Sequence, residues 1–238
     1  MERLQKIIAN SGYCSRRKAE DLIRKGVVFI NGQKVTELGV KVEENASIVV
    51  DGHSLSVENK EYYLLYKPSG VITTTSDEKN RKTVIDLIKT DKRIYPVGRL
   101  DYDTTGILLL TNDGEFANIL MHPSNKIDKV YLVKTDGIIT KNDLASLRNG
   151  VVIDGFKTSK AKVKIKQYNK SSNLSLVEIT IHEGKNHQVK KMFEAINHKV
   201  IKLKRESIGF FNLNGLKIGE YRKLTIKEIK KVYALKHE

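Results

Sequence analysis

Two carboxylates, Asp101 and Asp103, stand in a short polar stretch just ahead of an apolar run that begins at Ile107. Gly98-Arg99 before them and Thr104-Thr105-Gly106 after them are typical of turns. A carboxylate on a loop held against a strand can act as a nucleophile or as a general acid or base. Asp side chains also cap turns by accepting a backbone N–H, and this is their commoner use. The local sequence leaves both interpretations open.

Metal and thiol chemistry find little support in the residue types. Cys14 is the only cysteine, so neither an intramolecular disulfide nor a thiolate cluster can form. The histidines show no ligand spacing, since His182 and His187 lie five residues apart where a predicted strand gives way to a loop. We therefore predict a site that uses no metal.

The overall charge indicates a polyanionic partner. Among 238 residues, 43 are lysine or arginine and 28 are acidic, which gives a formal net charge of +15. Each phosphate that such side chains neutralise releases condensed counterions, so nucleic acid is the favoured partner. The chain is long enough for one or two domains. It shows no signal peptide and no segment of transmembrane length, and we expect a cytoplasmic protein.

Residues 1–52 predict two short helices, a hairpin and a further strand. Apolar residues recur at helical spacing over residues 4–8, and Ser15 is a suitable N-cap for a second helix that ends near Gly26. Asn31-Gly32 between two apolar runs predicts a hairpin with a type I′ turn. These elements predict a small separate unit at the N-terminus.

Cations crowd both ends of the second predicted helix. Arg16, Arg17 and Lys18 lie in its first turn, and Lys25 lies at its other end. The helix macrodipole disfavours cations at an N-terminus unless an anion is bound there. A solvated helix face is the alternative, but this placement favours phosphate binding.

From residue 59 onward, strands and short helices alternate without the even spacing of βαβ units. We therefore predict an α+β fold with a mixed, mostly antiparallel sheet and flanking helices. The polar stretch 54–60 predicts a hinge between two domains, residues 1–58 and 59–238. Strands are predicted at 61–65, 107–111, 129–136, 161–168 and 174–182, and helices at 83–89, 115–121, 141–148, 187–196 and in the basic tail 227–238.

The N-terminal unit resembles an S4-type (alpha-L) RNA-binding domain. The resemblance rests on residues 4–8, 11–20 and 28–32. It implies that the helix pair grips the backbone and shape of RNA and does not read a sequence by itself. The RNA contacts that it implies here are Arg16, Arg17, Lys18 and Lys25.

Residues 98–114 are similar to the signature of the ribosomal pseudouridine synthases of the small-subunit-A and large-subunit-B branch. Three further blocks agree, in the order that the family uses: 67–70, 129–131 and 183–193. With the S4 block, the match covers nearly the whole chain. The resemblance implies isomerisation of uridine to pseudouridine in ribosomal RNA. The base is flipped, and the bond between base and sugar is broken and re-formed.

The resemblance also implies roles for particular residues. Asp101 would attack the sugar C1′ or otherwise assist cleavage, and Tyr131 would stack on the uracil and help to deprotonate its C5; a half-buried strand tyrosine is the alternative. Lys190 would keep Asp101 ionised, unless it is a solvated helix lysine and Lys191 is the true partner. Arg99 would contact a phosphate or the flipped nucleotide. The other RNA-binding positions implied are Lys67, Lys185, His187 and Gln188.

The chain departs from the family pattern in ways that bear on its target. Lys190 stands where arginine is common, which replaces a planar fork by a point charge. Residues 1–6 and 115–123 resemble the large-subunit-B branch, whereas 187–190 resemble the small-subunit branch. We expect large-subunit (23S) RNA as the substrate, at the uridine numbered 2605 in the family's nomenclature. Small-subunit (16S) RNA is the alternative.

Two other functions compete with isomerisation. One is a non-catalytic module that binds ribosomal RNA during assembly, and the other is a base-excising glycosylase that uses Asp103 as its base. A pure binder has no need of a carboxylate that faces RNA phosphate, so we favour the enzyme. The expected partner is RNA and neither DNA nor a membrane. Because no heptad seam or large apolar stripe is present, we expect a monomer.

Overall fold

The computed structural model describes residues 1–43 and 45–235, and these form two compact units. The first unit contains Met1–Glu61 together with two later segments, Thr90–Ile94 and Thr111–Gly114. The second contains Tyr62–Lys89, Tyr95–Leu110 and the chain from Glu115 onward. No described helix is both long and apolar enough to cross a membrane.

The first unit has the predicted helix pair and hairpin. Ser15 caps the second helix, because its hydroxyl accepts a hydrogen bond from the Lys18 N–H. Asn31 and Gly32 both have positive φ, 49° and 80°, as a type I′ turn requires. Asn112, from one of the two later segments, accepts from the Glu61 N–H and so orders the end of the polar stretch. The elements are α1 (Leu4–Asn10), α2 (Arg16–Arg24), β1 (Glu2–Arg3), β2 (Val28–Ile30), β3 (Gln33–Val35), β4 (Lys41–Val42), β5 (Ile48–Val50) and β6 (His53–Ser54).

The second unit is built around a large mixed sheet. Its helices are α3 (Gly114–Met121), α4 (Lys141–Asn149), α5 (Gln188–Glu194) and α6 (Ile226–Ala234), and α6 covers most of the basic tail; residues 236–238 lie outside the described residues. Its strands are β7 (Tyr62–Lys67), β8 (Tyr95–Val97), β9 (Thr105–Thr111), β10 (Lys129–Asp136), β11 (Val152–Ile153), β12 (Phe156–Lys157), β13 (Lys162–Asn169), β14 (Leu174–Ile181), β15 (Val200–Ile208), β16 (Phe211–Asn212) and β17 (Tyr221–Lys223).

The sheet order is β13-β14-β10-β15-β9-β7-β17, with β16 on β15 and β8 on β9. The pair β15–β9 is parallel, whereas β13–β14, β14–β10, β10–β15 and β7–β17 are antiparallel. The predicted mixed, mostly antiparallel sheet with flanking helices is therefore confirmed. One hydrophobic core combines β9 with α3 and α6, and its fully buried members include Ile107, Leu109, Phe116 and Val232.

The predicted helix 83–89 is wrong. Only a 3-10 turn, Ile85–Leu87, forms there. The Val84 N–H donates to the Ile72 carbonyl, and the Asp86 carboxylate accepts from the N–H and hydroxyl of Thr83. These bonds hold the backbone in an extended bridge with residue 72 and prevent an α-helix from starting.

Candidate active site

A tight loop of residues 98–104 places Asp101 just ahead of the N-terminal end of β9, a central strand of the sheet. The Thr104 N–H donates to the Asp101 carbonyl (3.1 Å), which closes a turn around the two carboxylates. The Thr73 hydroxyl donates to the Leu100 carbonyl (2.7 Å) from outside the loop. The backbone around Asp101 is thus held from both sides.

Lys67 braces this loop from beneath. Its ammonium donates to the carbonyls of Pro68, Asp101 and Thr104, each at 3.0 Å, and the residue is 0% exposed. In this structure the Lys67 ammonium supports backbone carbonyls and is not exposed, and the RNA contact expected at Lys67 stays a prediction. Burial lowers the pKa of Lys67 to about 8, although the nearby charges of Asp103 and Asp101 partly oppose this.

The Asp101 side chain does not cap its own turn among the bonds that the structure describes. Its two carboxylate oxygens face Lys190 Nζ at 3.2 Å and His187 Nε2 at 3.4 Å. Lys190 Nζ also donates to Asp103 at 2.6 Å, so one ammonium bridges both carboxylates. Burial lowers the pKa of Lys190, but the hydrogen bonds to Asp103 and Asp101 outweigh it and raise the pKa above its ordinary value. The hydrogen bond from Lys190 lowers the pKa of Asp103.

Lys191, the alternative partner, lies elsewhere. Its ammonium pairs with Asp154, on the turn between β11 and β12. One residue of helical rotation separates the two lysines, and this rotation directs Lys190 to Asp101. The geometry therefore decides between the two lysines in favour of Lys190.

Tyr131 lies on β10 with its ring buried and its hydroxyl 3.5 Å from Nη1 of Arg205. Arg205, on β15, also donates from Nε to the Ile107 carbonyl (3.0 Å) and from Nη1 to the Arg99 carbonyl (3.4 Å). Gly106, on β9, allows the backbone of β9 to lie close to the Arg205 backbone on β15. A Cβ there would lie 2.2 Å from the Arg205 carbonyl oxygen.

Arg205 and its strand were missed by the sequence analysis. β15 contains an arginine at a position that faces the interior, so the alternation of apolar and polar residues is broken. The available signal was a run with β-branched residues at both ends, Val200-Ile201 and Ile208, and Leu203 two positions before Arg205.

These groups surround a cleft of about 370 Å³. Asp101 and Tyr131 line it, and Arg99 lies at it with an exposed side chain. Lys129 also lines it, with its buried ammonium bonded to the carbonyls of Ile127 and His182 at 3.1 and 3.0 Å. Within residues 1–43 and 45–235, no group of three or more His, Cys, Asp or Glu side chains is arranged to hold a metal ion.

The block 183–193 contributes both exposed and structural residues. His187 and Lys185 are exposed in the cleft wall, and the Lys185 ammonium lies over the Phe156 ring. Gln188, in contrast, is 3% exposed: its amide donates to Glu183 (2.6 Å) and accepts from the Lys185 N–H (3.0 Å). In this structure the Gln188 side chain fixes the loop before α5, and the RNA contact expected at Gln188 stays a prediction.

The four cations predicted on the N-terminal unit are exposed. Arg16, Arg17, Lys18 and Lys25 lie in or beside α2, and no ion pair with another described residue engages them. Their charges are therefore available to an external anion. The structure contains no RNA, and their role stays a prediction.

The walls of the cleft combine a carboxylate that contacts a lysine and a histidine, a buried aromatic ring and several cations. This set suits a substrate that has an electrophilic carbon for the carboxylate, a flat ring for Tyr131 and anionic groups for the cations. A nucleotide flipped out of a nucleic acid chain presents all three.

Comparison with known proteins agrees with this chemistry. The sequence profile of RNA pseudouridylate synthases matches residues 61–195, and that of the S4 domain matches residues 2–48. The chain is 54% identical over 236 residues to the ribosomal large subunit pseudouridine synthase B of Bacillus subtilis (strain 168), covering 99% of this chain and 97% of that protein. It is 41% identical to an uncharacterized RNA pseudouridine synthase of Aquifex aeolicus (strain VF5), covering 97% and 93%.

A solved structure agrees as well. The crystal structure of a pseudouridylate synthase superimposes with a TM-score of 0.70 at 34% identity, covering 98% of this chain and all of that one. The profile matches over half of the chain and the identities extend over nearly its full length, so the resemblance seen in the sequence is confirmed. The chain belongs to the RNA pseudouridylate synthase family, a family of isomerases, and carries an S4 domain at its N-terminus.

Proposed function

We propose that this enzyme converts uridine to pseudouridine in ribosomal RNA, and specifically in large-subunit RNA. The observation that carries the proposal is the Asp101 carboxylate in the cleft, held by Lys190 and His187 and facing the same space as Tyr131. The Bacillus relative, which acts by its name on the large ribosomal subunit, supports the choice of substrate. The uridine numbered 2605 in the family's nomenclature is the proposed target.

The reaction needs one ionised carboxylate beside the anomeric carbon. Asp101 attacks C1′, and the C1′–N1 bond breaks with its electron pair going to the uracil. The uracil turns within the cleft, and its C5 attacks C1′ and displaces the carboxylate. The C5 proton then leaves to a base and N1 gains a proton. Tyr131, whose ring faces the cleft, is the proposed platform and the candidate base.

Lys190 positions the carboxylate of Asp101. Because its ammonium contacts both Asp101 and Asp103, Lys190 holds the attacking carboxylate in position and places a positive charge beside it. Asp103 itself is engaged by Lys190, which argues against its use as the water-activating base of a glycosylase.

The N-terminal unit would bring the RNA. Exposed Arg16, Arg17, Lys18 and Lys25 suit the phosphate backbone, and Arg99, Lys185 and His187 suit the nucleotides near the cleft. An enzyme that acts on bacterial ribosomal RNA works in the cytoplasm, so the predicted location is part of the proposal. The predicted monomer is kept as well.

The test is Asp101→Asn, with Asp103→Asn as the matched control. Pseudouridine is mapped chemically in ribosomal RNA after incubation with each protein. We expect no detectable pseudouridine with Asp101→Asn and loss of no more than about tenfold in rate with Asp103→Asn, because only the first residue carries the nucleophile. Both variants should bind RNA as the wild type does.

Three results would contradict the proposal in whole or in part. Pseudouridine formed by Asp101→Asn would exclude Asp101 as the nucleophile. If the wild type binds ribosomal RNA and modifies no uridine in naked RNA or in assembling particles, the non-catalytic assembly function is correct. Modification of small-subunit RNA alone would retain the chemistry and replace the substrate.

A further inference from the structure

Three cations of the second unit are buried, and their described hydrogen bonds go to neutral groups. Lys67, Lys129 and Arg205 are 0%, 7% and 3% exposed. Lys67 and Lys129 donate to backbone carbonyls, and Arg205 donates to two carbonyls and the Tyr131 hydroxyl. No carboxylate of the described residues lies within 4 Å of any of their nitrogens as an ion-pair partner. The loop and cleft of the active site therefore contain positive charge that no directly paired carboxylate of the described residues neutralises.

One nitrogen of the Arg205 guanidinium has no hydrogen-bond acceptor among the described residues. Its Nε and Nη1 are bonded to protein groups, whereas Nη2 has no acceptor among the described residues. The described part of the chain contains three buried side-chain N or O atoms without a partner, and two of them, Arg205 Nη2 and Thr104 Oγ1, belong to residues that line the cleft. The unused polar atoms are thus concentrated where the substrate would bind.

A buried and unpaired cation opposes folding. Removing an ion from water costs several kcal/mol even after relaxation. Hydrogen bonds to two carbonyls and a phenol offset only part of this desolvation free energy. A fixed cation in a site shielded from water stabilises negative charge far more strongly than the same group in water does. The unpaired charge is therefore best explained by an anion that forms during the reaction.

We infer that Arg205 is a catalytic residue that donates from Nη2 to the flipped uracil and stabilises the negative charge that the base carries after cleavage. The inference rests on the proposed function. When the C1′–N1 bond breaks, its electron pair stays on the uracil and is shared by N1, O2 and O4. The charge is withdrawn again when C5 forms its bond to C1′. No oxidant, reductant or co-reactant is involved.

Arg205 suits this role better than the two buried lysines. Lys67 does not line the cleft, and its ammonium is occupied by at least three carbonyls. Burial lowers the pKa of Lys129, and the neighbouring charge of Arg205 lowers it further. A guanidinium keeps its charge at every physiological pH and presents several donors in a fixed plane.

Arg205 also connects the groups that must act together. Its Nη1 is bonded to the Tyr131 hydroxyl and to the carbonyl of Arg99, two residues before Asp101. A uracil held against Tyr131 is thereby close to the same guanidinium. The close contact at Gly106 sets the distance between Arg205 and the neighbouring strand, because no larger residue allows β9 to approach β15 so closely.

The experiment compares Arg205→Met, Arg205→Lys and the control Lys204→Met in single-turnover reactions. Lys204 is the neighbour of Arg205 on β15, outside the cleft, and pairs with Glu206. Each protein receives a ribosomal RNA fragment with uridine or 5-fluorouridine at the target, and loss of that nucleoside is followed by mass spectrometry. Fluorine at C5 withdraws electrons and stabilises the released base, so cleavage then depends less on the enzyme's cation.

We expect Arg205→Met to slow uridine consumption by about 100- to 1,000-fold, as for loss of an oxyanion donor, with RNA affinity unchanged. With 5-fluorouridine its deficit relative to wild type should shrink by roughly tenfold or more, equivalent to about 1.4 kcal/mol. The rate of Arg205→Lys should lie between those of Arg205→Met and the wild type, and Lys204→Met should match the wild type on both substrates. If Arg205→Met does not fold, as judged by its thermal melt, Arg205→Lys carries the comparison.

Equal deficits on the two substrates would overturn the inference and leave Arg205 a structural support for Tyr131. Weakened RNA binding with an unchanged rate at saturating RNA would also overturn it and make Arg205 a phosphate contact. If the wild type consumes no uridine at all, the proposed function fails and the inference with it. An active wild type beside an equally active Arg205→Met removes the inference alone.

Discussion

The molecule uses lysine and arginine in two contrasting ways. The cations of α2, represented by Arg16 and Arg17, are exposed and have no ion-pair partner among the described residues. The cations around the cleft, represented by Lys67 and Arg205, are buried and bonded mainly to backbone carbonyls. Both groups are positive, and only their surroundings differ.

This difference has a physical consequence. An exposed cation interacts with RNA through a charge that salt screens, so its contribution to RNA affinity falls as the salt concentration rises. Removing such a cation changes the folding stability little. A buried cation is shielded from salt, and its loss alters the loop or the reaction that it supports. The exposed group should therefore control RNA affinity, and the buried group should control stability and rate.

The largest expected effect follows from Lys67→Met. Methionine has a similar length and no donor, so the carbonyls of Pro68, Asp101 and Thr104 lose the hydrogen bonds that Lys67 gives them. We expect folding to lose about 3 kcal/mol or more, at about 1–3 kcal/mol for each buried group left unsatisfied. Urea denaturation measures this loss. The control Lys82→Met, at an exposed lysine, should change stability by less than about 0.5 kcal/mol.

The pH dependence of the same variant offers a second check. The pKa of Lys67 is about 8 in the folded protein against an ordinary 10.5, so between these values the unfolded chain holds a proton that the folded chain has released. The stability of the wild type relative to Lys67→Met should rise as pH increases through this window and stay constant below it. A constant difference at all pH values would contradict the burial of a charged ammonium.

A smaller effect is expected from Lys190→Met, with Lys191→Met as its matched control. Lys190 contacts Asp101, whereas Lys191 pairs with Asp154 away from the cleft. We expect kcat to fall by about 10- to 100-fold for the first variant, and by less than about twofold for the second. Steady-state kinetics on the RNA fragment measure both. Equal losses in the two variants would show that the pairing with Asp101 is unimportant for the rate.

The smallest expected effect follows from the double change Arg16→Ala and Arg17→Ala. The slope of log affinity against log salt should fall by about 1 to 2, because each phosphate contact contributes about 0.7–0.9. The rate at saturating RNA should stay that of the wild type. Arg205→Met should give the opposite result, a reduced rate with the full salt slope. Binding titrations at several salt concentrations distinguish the two, and an unchanged slope in the double variant would exclude these arginines as phosphate contacts.

Much of this protein follows from local sequence. The type I′ turn at Asn31-Gly32, the N-cap at Ser15 and strand β10 all formed where the pattern predicted them. Each depends on interactions between residues close in the chain, or on an alternation that the sheet simply buries. The resemblance to the family was likewise visible in the sequence, in residues 98–114 together with the blocks 67–70, 129–131 and 183–193.

Tertiary structure decided the rest. Lys67 is buried beneath the loop 34 residues away, and Gln188 is bonded to Glu183, so both side chains support the backbone around the site in this structure. Lys190 rather than Lys191 reaches Asp101 because of the rotation of α5. Arg205 enters the cleft only because the parallel pair β9–β15 brings it to Gly106, about a hundred residues earlier. Residue type determines what charge a side chain carries, but only packing between distant segments determines whether water, RNA or the backbone surrounds that charge.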